Sequence, residues 1–211
     1  AGITAILQQA HRELYNEETA NAGLLKAILL NTANDMGNVG PDFLYGWGHV
    51  NAYRALLTVE NENWLEDAIA QDEINQHTFD IPEDVAEVRI MTYWLDPAGS
   101  IMTNKALVND LNTSLTQPDG TLAEPWLLNP TPDPATLAAP AITGVDDLNN
   151  MEQIAIQNPA SGTYTLNVEG FEIPFGDHNY FVVWEYRMKE VEMIYPLGGE
   201  SFEPGRFERI H

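Results

Sequence analysis

GPDFLYGWGHVNAYRAL, residues Gly40 to Leu56, is where the chain changes character. Three glycines, a proline and a run of aromatic residues form a stiff corner, and the following residues turn helical. Asn51 is placed to cap that helix, which carries Ala52, Tyr53, Leu56 and Leu57. Before the corner, Ile3, Ile6, Leu7, Ala10 and Leu14 recur at offsets of three and four, the stripe of an amphipathic helix. No Ser, Thr, Asp or Asn precedes that stripe, so this helix is expected to begin upstream of Ala1. Leu24, Leu25, Ile28 and Leu29 mark a second helix that ends in NTANDMGN, a cluster of turn-forming residues.

After Glu60 the spacing changes to alternation, with turn signals about every ten residues. Strands are expected around HTFDIP near Phe79, in EVRIMTYWL (Glu87–Leu95), in TSLTQ before the turn at Pro118–Gly120, in EQIAIQ from Glu152, in GTYTLNVEG from Gly162 and in NYFVVWEYR from Asn179. Val88, Ile90, Met91 and Trp94 are apolar on both parities, which predicts a sheet covered on most of both faces or a strand near the sandwich centre. EPWLLNPTPDPATLAAPAIT, from Glu124 to Thr143, reads as a long loop or excursion. From Glu190 the chain alternates again but ends after about two strands' worth of residues, too few for a core.

Composition removes several function classes. The balance of 9 Lys+Arg against 32 Asp+Glu gives a net charge of −23, which repels phosphate backbones and anionic lipid, so neither nucleic acid nor membrane is an expected partner. No apolar run approaches the ~20 residues of a membrane span. With no cysteine there is no disulfide, thiolate nucleophile or Cys-type zinc site. The acidity suits calcium, a salty exterior or plain solubility.

Several blocks resemble the subtilisin-like serine proteases. LLKAILLNTANDMG followed by the G-W-G-x-V-N-A corner is similar to the end of their catalytic domain, and AGITAILQQ resembles the helix after the nucleophile motif. In this family the chain order is Asp, then His, then Ser. The resemblance therefore implies a nucleophile upstream of Ala1 and no catalytic residue in this chain. VRIMTYWLDPAG, ALVNDLNTSLTQPDGT and DDLNNMEQIAIQNPASGTYTLNV resemble, in order, the C-terminal jelly roll of bacterial alkaline subtilases. Departures are Tyr93 before Trp94, Leu95 between Trp94 and Asp96, and Asn112 in place of an aspartate. YPLGGESFEPG resembles the first strands of an immunoglobulin-like module.

Calcium is the one cofactor with an argument behind it, since it takes hard oxygens from Asp, Asn and carbonyls on irregular segments. Asn109, Asp110, Asp146 and Asn149 are the candidate ligands, and the resemblance implies calcium near strand ends there. The bland alternative is that Asn and Asp gather in turns to bond their own backbone. His11, His49, His77, His178 and His211 form no metal-binding spacing and read as surface residues. Ser161 reads as a turn serine. Trp94 and Trp184 read as core; Trp126, in its loop, is the one tryptophan placed to touch a sugar, with a core or loop-anchoring role as the favoured alternative for it too.

The expectation is α+β by content: 1–60 the helical end of an α/β subtilisin domain, 61–189 an antiparallel jelly-roll β-sandwich, and 190–211 the start of an Ig-like module. It reads as the non-catalytic C-terminal portion of a secreted bacterial serine endopeptidase, whose partners are the parent's protein substrates. The alternatives are a calcium-dependent carbohydrate- or protein-binding module, and a structural spacer in a surface adhesin. The helical face of Ile3, Ile6, Leu7 and Leu14 is a candidate for self-association.

Overall fold

The computed structural model describes residues 1–103 and 105–189. The expected Ig-like start at 190–211, with His211, lies outside the described residues. Three helices come first: α1 (Gly2–Leu14), α2 (Ala22–Asn31) and α3 (Ala52–Glu60). Ala1 makes no side-chain cap bond. Asn21 caps α2 by accepting from the Gly23 amide, and Asn51 caps α3 by accepting from the Arg54 amide at 3.0 Å, as the sequence predicts.

The strands are β1 (Trp64–Ile69), β2 (Ile74–Ile81), β3 (Val85–Trp94), β4 (Asp110–Thr116), β5 (Leu122–Ala123), β6 (Trp126–Leu127), β7 (Ile142–Thr143), β8 (Met151–Gln157), β9 (Gly162–Glu172) and β10 (His178–Met188), with a short α4 (Pro134–Leu137) between β6 and β7. They form two four-stranded antiparallel sheets, ordered β1-β10-β3-β8 and β2-β9-β4-β5, and a small β6-β7 pair. All six expected strands are present. The stretch Glu124–Thr143, expected as loop, instead carries β6, α4 and β7, because two-residue strands leave no periodicity to read.

Two apolar clusters explain the apolar residues on both parities. Successive side chains on a strand point to opposite faces. Val88, Ile90 and Trp94 of β3, with Tyr180 and Val182 of β10, join Leu115, Leu166 and Val168 of the other sheet in a core between the sheets. Met91 and Tyr93, with Phe181 and Val183, face the opposite way and pack with Leu24, Ile28 and Val59 of the helices. β3 and β10 are thus buried on both faces, the outer one by the helices. Contact is close at Gly23, where an added Cβ would stand 2.9 Å from the Phe181 ring.

The α1 stripe is shared. Leu7 is fully buried among the chain's own helices, while Ile6 and Leu14 are half exposed. His11, expected on the surface, is buried at 5% exposure: its Nδ1 lies 3.1 Å from the Glu18 carbonyl and its ring packs against Tyr15 and Trp64. Trp94 is fully buried, as expected, and Trp184 packs at the margin of the core.

Candidate functional site

α2 covers only part of the outer face of the β1-β10-β3-β8 sheet. Beyond the end of α2 the same face turns from apolar to charged. Glu87 and Arg89 of β3, and Glu185 and Arg187 of β10, sit two residues apart on their strands and opposite one another across the ladder, Arg89 beside Glu185 and Glu87 beside Arg187. Glu87 holds the group together: one oxygen lies 3.0 Å from Arg89 Nε and accepts from Gln157 Nε2 at 2.6 Å, and the other is 2.6 Å from Arg187 Nη1. Arg54 of α3 pairs with Glu185.

The end of α2 is tied to this group. Arg89 donates to the Ala33 carbonyl at 2.9 Å and Arg187 to the same carbonyl at 3.3 Å, satisfying an acceptor just past the negative end of the helix dipole. Asn31 donates to the carbonyls of Arg89 and Val183 and accepts from Gln153 at 2.9 Å. Burial, then the neighbouring Arg187 and Arg89, push the Arg54 guanidinium down to about 9. Burial is also the largest influence on Arg89 and Arg187 and lowers both, Glu87 opposing it.

The corner forms one wall beside these charges. Asp42 organises it, accepting from the amides of Tyr45, Asn38 and Leu44, which hold its carboxyl below the usual range against the effect of burial. Gly48, at φ +99°, lies so close to Asn34 that an added Cβ would stand 2.1 Å from that carbonyl oxygen; this permits the Asn34–His49 bridge. The β6-α4-β7 excursion forms the other wall. It is tied to the corner by Asn38 Nδ2 donating to Ala138 O at 3.2 Å, and Gly40 lies against Trp126, where a Cβ would come 2.9 Å from the indole. Between the walls is an open cleft of about 370 Å³, with Trp47 and Trp126 at its sides and Glu87, Arg89, Gln157 and Arg187 on its floor. Its lining offers polar and charged groups together with aromatic surface. The sequence singled out Trp126 alone. The floor residues were missed, although charges two apart in otherwise apolar strands were the available signal.

The candidate calcium ligands come from two segments that meet at Trp94. Its indole donates to Asn109 O at 2.9 Å, and its carbonyl accepts from Asn150 at 2.7 Å. Each candidate already has protein partners. The Asn109 amide donates to Asp96; Asp110 Oδ2 is 2.6 Å from Lys105 Nζ; Asp146 accepts from the amides of Leu148 and Asn149 and from the Asn149 side chain. Among the described residues no three His, Cys, Asp or Glu form a metal-holding group. Asp110 Oδ1 and Glu152 Oε1 are buried without a hydrogen-bond partner, as is Asn112 Oδ1 on the outer face of β4. Glu152 reaches across the sandwich from β8, and its other oxygen accepts from the Thr113 amide of β4 at 2.6 Å. Burial pushes its carboxyl well up, against the Thr113 bonds and with help from Asp146 and Asp110.

No helix among the described residues is long and apolar enough to cross a membrane. No family model matches the chain. In sequence it is 26% identical over 174 residues to the serine protease/ABC transporter B family protein tagA of Dictyostelium discoideum, a match covering 77% of this chain and 10% of that protein. The chain thus spans about a tenth of the length of the curated relative it matches. Among solved structures, the Clostridium perfringens CspB protease overlaps 73% of this chain and 34% of its own at 8% identity and a TM-score of 0.34. The Bacillus licheniformis lipase BlEst2 in propeptide form overlaps 60% and 22% at 14% identity and a TM-score of 0.36. The sequence match is therefore to a protein named for a serine protease, over a small part of its length.

Proposed function

We propose that this chain is a non-catalytic portion of a secreted subtilisin-like serine endopeptidase, with 1–60 the end of the catalytic domain and 61–189 a jelly-roll β-sandwich that stabilises it or aids substrate approach. The observation that carries this reading is the 26% match to a serine-protease-named protein across most of the chain. The G-W-G-x-V-N-A corner, which launches a helix capped by Asn51, supports it. The strand orders β1-β10-β3-β8 and β2-β9-β4-β5 support the jelly-roll reading, since eight antiparallel strands in two facing sheets make up that fold. The burial of the outer face of β3 and β10 by the helices supports a stabilising role. The test is a fluorophosphonate label and a casein assay on this chain. Neither labelling nor turnover is expected; turnover blocked by the label would overturn the assignment of a non-catalytic portion.

A second reading, a calcium-stabilised sandwich, is favoured by the unpartnered buried oxygens of Asp110 and Glu152. Lys105 pairs with the other oxygen of Asp110, and a divalent cation would supply positive charge to the oxygens left without a partner. Its test is thermal: added calcium raises the melting temperature of the chain and chelator reverses it, and no shift at millimolar calcium would remove the reading.

A further inference from the structure

We propose that the cleft between Trp47 and Trp126 binds a neutral saccharide, with the sugar faces against the indoles and the hydroxyls on the Glu87-Arg89-Gln157-Arg187 floor. This stands apart from the protease reading and does not depend on it.

The chemistry of the cleft selects the ligand class. Its charged groups cancel, Asp35 and Glu87 against Arg89 and Arg187, and the floor charges are paired with one another, so no unbalanced charge is left for an ionic ligand. A chain of net charge −23 also repels polyanions such as uronate chains. What remains is a set of planar donors and acceptors flanked by two half-buried indoles, each an apolar face with a polar edge. A sugar ring has the matching pattern, with a C–H face and a rim of hydroxyls that both donate and accept. The volume of about 370 Å³ falls at the small end of the ~300–1,000 Å³ range of ligand sites, enough for a short saccharide.

The site is also fixed in advance. Glu87 is held by Arg89, Arg187 and Gln157 together, and both arginines are pinned to the Ala33 carbonyl. Gly40 packs against the Trp126 ring and ties it to the opposite wall. Groups ordered before binding cost little to order on binding. An extended peptide is the rival occupant, and it would bind by lengthening the sheet at β8. The two-residue β6 lies against part of that strand without extending its ladder, so casein peptides are included as a contrast in the test.

The test is titration of the chain with cellotetraose, xylotetraose, chitotetraose and laminaritetraose, read by tryptophan fluorescence and calorimetry, with tetragalacturonate and casein peptides as contrasts. At least one neutral tetrasaccharide is expected to bind saturably. Trp47→Ala should weaken it about tenfold or more. Gln157→Ala should weaken it too, with a melting temperature a few degrees lower because the substitution also removes a hydrogen bond to the buried Glu87 carboxylate. No binding of any neutral tetrasaccharide at millimolar concentration overturns the proposal. So does binding unaffected by both substitutions, or binding only of tetragalacturonate or the peptides.

Discussion

Replacing Phe181 with alanine tests whether the helices and the sandwich are one cooperative unit. Phe181 is 2% exposed and lies on the face of β10 that meets α2, outside the core between the sheets. Truncating a buried phenylalanine costs about 3–5 kcal/mol through lost transfer energy and the cavity left behind. In a domain of this size each kcal/mol moves the melting temperature by about 2–4 °C, so a fall on the order of 10 °C is expected. In urea the midpoint should drop while the transition stays single and its slope is unchanged. Gly23→Ala supplies an internal control. Its Cβ would stand 2.9 Å from the Phe181 ring and 3.1 Å from Leu95, so alone it should cost about 1–3 kcal/mol by overpacking. In the Phe181→Ala background that cost should shrink, giving a coupling of about 0.5 kcal/mol or more. Two observations would refute the reasoning: a Phe181→Ala cost below about 1 kcal/mol, or a two-step melt in which helical signal is lost while the strands persist.

Further outcomes follow from the same contacts. Asn51→Ala removes the cap of α3 and should cost about 1 kcal/mol by chemical denaturation, whereas Asn51→Asp should cost little. Burial lowers the folded-state pKa of His77 and His178, with Asp67 and Asp96 respectively opposing it. The native state then holds fewer protons than the unfolded one just below pH ~6.5, so this contribution is complete above that pH and lost as pH falls. A His77→Gln, His178→Gln variant should show a flatter loss of urea midpoint between pH 7.5 and 5.5, and identical slopes would contradict the sign. In the calcium reading, Asp110→Asn should abolish the calcium-dependent rise in melting temperature, and a retained rise would place the ion elsewhere.

The sequence carried the strands that are long and apolar, because a strand buried on both faces leaves apolar residues on both parities, as in β3 and β10. It concealed β1, since WLEDAI exposes Glu66 and Asp67 and owes its strand state to pairing with β10. β5, β6 and β7 are two residues each, below any readable period. The cleft was legible only at Trp126. Its floor is assembled from β3, β8 and β10, strands far apart in sequence, and its ion pairs follow from ladder register, which no local window contains. His11 misled for a related reason: the Glu18 carbonyl and the Trp64 ring that bury it come from outside its own helix.

The central claim is that this chain serves a serine endopeptidase. The most direct measurement is made on the full natural protein, labelled with fluorophosphonate and assayed on casein with and without residues 61–189. The expected result is serine-hydrolase labelling and turnover whose thermal half-life shortens when the sandwich is removed. Absence of labelling and turnover in that protein would contradict the account.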